Sequence, residues 1–466
     1  MSKFLIFILL FFFILFSQSI LSQNKSIFIS KINILGNVKT KEKIITRELT
    51  FNIGDSIQYD AINKNLSKSK ENIENTLLFN SVIIDTVKLS PNNYSINITL
   101  VERWYFWPYP ILEQADRNFS SWLKSNDLSR SNYGLFFQQN NFRGRNEIVK
   151  IKARFGYKEQ FAINYRIPYL NKSQSIGLEL LSSYFRQKEI SYATVNNYPQ
   201  YVSSEKYLQE YFNSKLNINY RYKLYNTFNV SLSYFNYYIN DFVFTLNPDY
   251  FIHEQTLLPV NRNYFQNLII NLNYSYEKRN SIIYPLKGQY LYVDVEKNHG
   301  ISNSFNQLSI QTKFKKYVKL NSVIFFASSL HLKYSLQCSN SYIYSDALGY
   351  EDNIRGFEYY VIDGQDFFIQ KNNFKIKLFD KQKTLKFIKL KEFNTTYFAS
   401  FVNIFFEMAY VKNIYSKPSN RFDNWYIYSI GAGIDVLTYY DKVIRLEYSH
   451  NNFKYNGFYI NFTAPI

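Results

Sequence analysis

Glu147-Ile148-Val149-Lys150-Ile151-Lys152-Ala153-Arg154-Phe155 decides the fold class. Val149, Ile151, Ala153 and Phe155 point one way while Lys150, Lys152 and Arg154 point the other, a period of two that gives a β-strand two unlike faces. The same alternation recurs in Ser214 to Tyr222, Asn267 to Tyr276, Gln289 to Glu296, Gln307 to Phe314 and Phe374 to Leu378. Near the end, Ile444, Leu446 and Tyr448 oppose Arg445 and Glu447, and Phe458, Ile460 and Phe462 close the chain. Each stretch is about ten residues long with Tyr or Phe near its edges, as a transmembrane β-barrel requires: apolar outside, polar inside, aromatic at the rims. A soluble β-sandwich also alternates, but the strand length, the shortage of Gly and Pro turns and the lack of a second apolar face speak against it.

Extended in both directions, the pattern places strands near 104–114, 132–141, 147–157, 160–168, 174–187, 207–222, 227–244, 264–279, 288–298, 304–318, 322–338, 367–378, 397–411, 425–437, 443–450 and 457–465. The fold class expected is therefore mainly β, a 16-stranded antiparallel transmembrane β-barrel over residues 104–466, and the even strand number suits one. Connections alternate between short, such as Arg143 to Asn146, and long, such as 188–206, 245–263 and 339–366. Short turns facing the periplasm and long loops facing outward explain the asymmetry. The segment 379–396 breaks the rule, being long where a short turn is expected.

Ahead of the barrel, residues 27–103 read as one small α+β domain in the periplasm. A strand over Ile27 to Leu35 turns at Gly36-Asn37. A helix over Thr40 to Thr50 places Ile44, Ile45 and Leu49 at helical spacing, and a second from about Asp60 to Asn80 carries Ile62, Leu66, Ile73, Leu77 and Leu78. Strands follow at Val82 to Leu89 and Tyr94 to Arg103. Residues 1–22 read as a signal peptide: Lys3, an apolar run from Phe4 to Phe16 that is shorter than the roughly 20 residues of a membrane helix, and a small residue at Ser22.

The chain has 466 residues, 54 Lys plus Arg against 36 Asp plus Glu, a net charge of +18 and 20% aromatics, which excludes a disordered chain. With 14 Gly, 10 Pro and one Cys it is neither collagen-like nor disulfide-stapled, and Cys338 makes no internal disulfide. His253, His299, His331 and His450 are scattered without metal-ligand spacing, and there is no Gly-x-Ser-x-Gly elbow and no Gly-rich phosphate loop. No enzyme activity, cofactor, metal or nucleic acid is expected. The cations occupy alternate strand positions, to line the lumen or meet anionic lipid headgroups, rather than forming a nucleic-acid patch.

The residues also carry a resemblance. Gly36-Asn37, Thr40 through Arg47-Glu48-Leu49, Phe51 to Asp55 and Asn72 through Val82 look like a POTRA domain. In the barrel half, Tyr284-Pro285-Leu286-Lys287-Gly288, Ile354-Arg355-Gly356-Phe357 and the tail from Gly431-Ala432-Gly433-Ile434-Asp435 through Arg445-Leu446-Glu447-Tyr448 resemble the BamA/TamA superfamily of outer-membrane assembly proteins, also called the bacterial surface antigen family. The resemblance implies that Ile354, Arg355, Gly356 and Phe357 belong to a loop folded into the lumen. It implies a partner for Arg355 in Phe405-Phe406-Glu407-Met408-Ala409, where Glu407 replaces the family's Asp and Ala409 its Gly. Arg suits the role because its guanidinium makes planar, bidentate bonds to carboxylates.

The resemblance further implies an outer-membrane location, with the lipid bilayer and unfolded or translocated polypeptides as partners, and periplasmic chaperones or accessory lipoproteins as possible ones. A client would add as a strand to the edge formed by Val82, Ile83, Ile84, Asp85, Thr86 and Val87. A seam between the first strand, with Trp104, Pro108 and Pro110, and the last, with Phe458, Ile460 and Phe462, would open to template client strands. The two prolines remove ladder donors there. A passive porin or transporter-type channel shares the barrel and the cationic lumen and remains the alternative. The family's larger machines carry several POTRA domains, and residues 27–103 hold one.

Overall fold

The computed structural model describes residues 26–114, 131–251, 263–302, 305–336, 341–385, 388–438, 440 and 442–462. The signal peptide, Cys338, His253 and the last residues of the expected closing strand lie outside the described residues.

The N-terminal unit runs β1 (Ser26–Leu35), α1 (Glu42–Thr46), β2 (Ser56–Gln58), α2 (Tyr59–Glu74), β3 (Phe79–Ser90) and β4 (Asn93–Glu102). Its sheet order is β2-β1-β4-β3, with β1 and β4 parallel and the other pairs antiparallel. The helices cover one face and bury Ile44, Ile45 and Ile73 against Ile29, Ile96 and Ile98. Helix α2 stops at Glu74, short of the expected Asn80. The Thr76 hydroxyl bonds back to the Ile73 carbonyl, and Leu77 takes φ of 58°, turning the chain so that Leu78 and Phe79 enter the core. Strand β2, three residues long, carries too little pattern to be read from sequence.

The barrel half continues with β5 (Phe106–Gln114), β6 (Ser131–Phe142), β7 (Glu147–Gly156), β8 (Lys158–Ile167), β9 (Ile176–Gln187), β10 (Glu189–Val195), β11 (Tyr198–Ser203), β12 (Gln209–Tyr222) and β13 (Asn226–Ile239). After α3 (Asp241–Leu246) come β14 (Tyr264–Glu277), β15 (Gly288–Gly300), β16 (Asn306–Lys319), β17 (Ile324–Ser335), β18 (Asp346–Leu348) and β19 (Ile362–Asp363). The chain ends with β20 (Asp366–Thr384), α4 (Lys391–Asn394), β21 (Thr395–Lys412), β22 (Tyr426–Leu437), β23 (Val443–Asn451) and β24 (Asn456–Asn461). Sixteen of these strands form one antiparallel sheet from β5 to β24 in sequence order, with the hairpin β10-β11 and the pair β18-β19 outside it. Each of the sixteen intervals read from the alternation holds one of its strands.

The expected strand 227–244 ends early, at Ile239, because the Asn240 side chain accepts the Phe242 N–H and caps α3. The anomalous segment 379–396 is largely strand. β20 and β21 stay paired out to Thr384 and Thr395, past a register shift at Lys377/Phe379, and α4 lies at the hairpin's tip. The long connection 188–206 is likewise not open loop but the hairpin β10-β11. Its tip residue Asn197 accepts the N–H groups of Arg421 and Phe422 and donates to the Val361 carbonyl, tying three long loops together.

The turns at the opposite end meet the N-terminal unit. Arg221, at the end of β12, grips the Glu48 carboxylate with both terminal nitrogens, at 2.6 and 2.8 Å. Arg47 Nε donates to the Gln174 carbonyl at 2.8 Å, the Lys41 N–H to the Gly144 carbonyl at 3.0 Å, and Asn75 Nδ2 to the Arg279 carbonyl at 3.2 Å. Tyr169, from the turn between β8 and β9, joins the apolar core of the small unit. The unit is thus seated across the turns of the barrel.

Candidate functional site

Strand register builds the inner wall on which the Arg355 loop rests. Lys371, Glu407, Ser429 and Asn451 form one row across β20 to β23, and Lys375, Asn403, Gly433 and Glu447 form another. The loop after β18 carries Arg355 down to these rows. The Arg355 backbone N–H donates to Glu407 Oε2 at 2.9 Å, its Nε to Glu407 Oε1 at 2.6 Å and its Nη1 to Glu447 Oε1 at 2.6 Å. The guanidinium lies 3.6 Å from the Phe405 ring centroid. All four side chains are buried. Ile354 and Phe357, on either side, pack into an apolar cluster with Ala409, Val411 and Phe422, so the tetrapeptide alternates between apolar and ionic anchors. Gly356 takes φ of 83°, which a side chain disfavours.

The structure therefore brings together the residues singled out around Arg355, and adds partners that the sequence reading missed. Glu447 binds Arg355 directly, and Arg445 Nε approaches both Glu447 at 3.5 Å and Asp435 at 3.2 Å. The Tyr284 hydroxyl donates to Asp435 Oδ2 at 2.7 Å. The three sequence markers, Tyr284 to Gly288, Ile354 to Phe357 and Gly431 to Tyr448, thus meet in one chain of polar contacts along the wall. The inward alternation of Arg445 and Glu447 was the available signal for this. On the loop's other flank, Asp352 contacts His331 Nδ1 at 3.2 Å and Lys313 at 3.8 Å. Glu358 accepts the Gly356 N–H at 2.8 Å, and burial, with Glu447 and Glu407 nearby, pushes its carboxyl up to about 8.

The expected seam residues lie on the two ends of the sheet. Among the described residues no pairing register joins β5 to β24. The β5-β6 ladder runs unbroken through Pro108 and Pro110. Both have the same parity, and an intact ladder places their missing N–H groups on the side facing away from β6, towards the seam. Phe458, Ile460 and Phe462 alternate along the last strand, with Phe458 and Phe462 exposed. Trp104 lies just before β5, and its backbone N–H donates to the Tyr440 hydroxyl at 3.1 Å.

Tyr440 sits at a junction of four elements. Its hydroxyl donates to the Glu392 carbonyl in α4 at 3.0 Å, and the same carbonyl accepts Asn80 Nδ2 from β3 at 2.6 Å. Trp107 packs edge-on against Tyr440, with centroids 5.1 Å apart, and Trp104 against Phe393 at 5.8 Å. The edge strand of the small unit, the tip of the extended hairpin, the β22-β23 turn and the start of the first barrel strand are thus tied together. On the edge strand itself, Ile83, Asp85, Thr86 and Val87 are exposed, Ile84 is half-buried and Val82 is in the core. Strand β3 is terminal in its sheet, so its outer main-chain groups face no other strand of that sheet.

Residues 141–438 match the Omp85 superfamily domain, and residues 27–103 match the POTRA family described as surface antigen variable number repeat. Among solved structures, BamA from Haemophilus ducreyi lacking POTRA domains 1–3 is similar in fold, with a TM-score of 0.51 at 15% identity over 94% of this chain and 83% of that one. CdiB from Escherichia coli gives a TM-score of 0.52 at 10% identity over 94% of this chain and 75% of that one. No curated protein sequence matches the chain.

Proposed function

The chain belongs to the Omp85 superfamily, a family of outer-membrane assembly and translocation proteins, and on that premise we propose that it captures extended polypeptide on its POTRA domain and inserts it through a lateral seam in the barrel. The observation that carries the reading is the pairing of two open strand edges, β3 in the periplasmic domain and the proline-bearing β5 in the barrel, joined through Asn80, Glu392 and Tyr440. A client strand adds to β3 by main-chain hydrogen bonds, which accept any sequence. The edge of β5 then offers the next template, and folding of the client supplies the free energy. The clasp between Arg355 and its two carboxylates holds the loop against β21 and β23 and keeps that wall fixed while the seam moves.

Depletion of the protein in its host tests this reading. The expected result is a fall in the levels of other outer-membrane barrels or of a translocated protein, and unchanged levels would remove it. The porin reading has less support, because the loop anchored at Asp352 and Arg355 occupies the lumen and the POTRA domain is seated across the turns. A large, stable conductance from the purified protein in planar bilayers would favour the porin instead.

A further inference from the structure

The lipid-facing surface of the barrel carries a polar row where hydrocarbon contact calls for apolar side chains. The inward set is fixed by contacts: Lys313 and His331 reach Asp352 in the lumen, Lys371 reaches Glu407, and Asp294 and Glu296 accept from Asn271. Alternation therefore turns Gln289, Lys316, Ser328, Gln370 and Asn372 outward. Register places Gln289, Lys316, Ser328 and Asn372 side by side across β15, β16, β17 and β20. Lys316 Nζ donates to Gln289 Oε1 at 3.0 Å, Ser328 Oγ to Asn372 Oδ1 at 2.9 Å and Gln370 Nε2 to Ser328 Oγ at 2.9 Å.

From Lys316 to Asn372 the row lies inside the wall and not at the rim. Lys316 lies four residues from the turn at Leu320, roughly 10 Å into the wall at about 3.4 Å per residue and a strand tilt near 40°. Apolar side chains lie between it and the turn, Val318 on its own strand and Phe326 and Phe374 on the neighbours. Among the described residues the Lys316 ammonium has one protein acceptor, and its remaining N–H groups and the Asn372 amide nitrogen have none. In a bilayer such donors need an acceptor. The flank nearer the POTRA domain is cationic as well, since Lys287 and Lys381 are exposed there. The paired rings of Phe379 and Phe398, 5.3 Å apart, sit between the apolar band and Lys381, as aromatic anchors do at a headgroup boundary.

We propose that this face binds an anionic phospholipid of the periplasmic leaflet, its phosphodiester drawn below the usual headgroup level to accept hydrogen bonds from Lys316 and Asn372. A phosphodiester supplies both the negative charge for the ammonium and several acceptor oxygens for the amides, and in an anionic lipid that charge is uncompensated, whereas a zwitterionic headgroup carries its own cation beside the phosphate. Lys316 can lean towards the rim to meet it. The inference rests on the membrane-spanning reading of the barrel and is independent of client assembly.

The test uses the folded full-length protein in neutral detergent, with phosphatidylglycerol or phosphatidylcholine added, and native mass spectrometry to count retained lipid. Wild-type protein is expected to keep phosphatidylglycerol preferentially. Lys316→Leu should cut that retention roughly fivefold, the weight of one lysine near an anionic surface. The pair Ser328→Val and Asn372→Leu should lower it too, while Lys297→Leu, at the other end of β15, should leave it unchanged. All replace lipid-facing polar groups by apolar ones, which favours folding in detergent and keeps the comparison valid. Equal retention by wild type and Lys316→Leu overturns the proposal. So does a wild-type dimer that Lys316→Leu converts to a monomer, since the row would then be a protein contact. Normal lipid retention in a protein whose depletion leaves other barrels unchanged would separate this inference from the assembly reading.

Discussion

Removing the Glu407 carboxylate should free the lumen loop without unfolding the barrel. In the structure this carboxylate accepts two hydrogen bonds from one residue, the Arg355 backbone N–H and Nε, at 2.9 and 2.6 Å, in a site where Glu407 is 1% exposed and Arg355 4%. Bonds to charged groups contribute about 1.5–3 kcal/mol each, and breaking one partner of a buried ion pair costs about 3–5 kcal/mol. In Glu407→Ala the guanidinium keeps Glu447 and the backbone N–H loses its acceptor, so opening of the loop should become easier by about 3–5 kcal/mol. At about 1.4 kcal/mol per factor of ten, that is a rise of roughly a hundredfold to several thousandfold in hydrogen exchange of peptides spanning 349–361. Peptides from β12 and β13 serve as the internal control and should not change. Exchange of the loop within threefold of wild type, with the control intact, would refute the clasp. Glu407→Asp should fall between, because an arm shorter by about 1.5 Å withdraws the oxygen from its contact with Nε. The reversed pair, Arg355→Glu with Glu407→Arg, should not restore protection. The new carboxylate would face Glu447, and the new guanidinium would lie near Lys371, whose Nζ is now 3.9 Å from Glu407.

Tyr440→Phe keeps the ring packing on Trp107 but loses the bonds to Trp104 and Glu392, and at about 1 kcal/mol per bond the exchange of peptides over 104–110 should rise several-fold; no change there would remove the junction from the mechanism. Arg221→Met breaks the two-pronged contact with Glu48 and should lengthen spin-label distances between POTRA domain and barrel, whereas an unaltered distance distribution would show that the other contacts suffice. For Glu358, a folded-state value of about 8 against an ordinary 4.5 means that the folded protein holds a proton that the unfolded chain releases, so its contribution is full below about 4.5 and is lost as pH rises through about 8. Wild-type melting temperature should accordingly fall between about pH 5 and 8 and level off above that, and Glu358→Gln should flatten the fall; parallel curves would contradict it.

The barrel was legible because its two surroundings differ so sharply. A strand with lipid on one side and a polar lumen on the other must alternate, and that held for β7 and β12 as for β23. What the pattern could not convey was decided by single polar groups or by distant contacts. Asn240 ends β13 through one side-chain bond, and sequence alternation continues past it. The extension of β20 and β21 is rich in Lys and carries no lipid-facing band, so it read as loop although its ladder is intact. The pairing of Arg355 with Glu407 came from a resemblance, while Glu447, 92 residues along the chain, is brought there by the register of β22 and β23. Composition gave the number of cations but not which of them, like Lys316, face outward.

Ala409 shows how the departure from the family's pattern is absorbed. The family's pattern has Gly at this place, where no side chain would stand in the way; here Ala409 is fully buried with its methyl packed among Ile354, Phe357 and Val411. The close approach is made on the facing strand instead. A Cβ at Gly431 would lie 2.4 Å from the Phe405 ring and 2.4 Å from the Tyr448 carbonyl, and one at Gly433 would lie 2.6 Å from Glu447 Cγ. The missing side chains of Gly431 and Gly433 are thus the space into which Phe405 and Glu447 lie, and these are two of the three groups that hold Arg355. The consequence reaches the seam. Glu447 stands on β23, the partner of the last strand, while the first strand is held at Trp104 by Tyr440 on the turn before β23. Each edge of the seam is therefore positioned from outside the seam itself. That arrangement suits the proposed lateral opening, in which the two strands would part and meet again without losing their places.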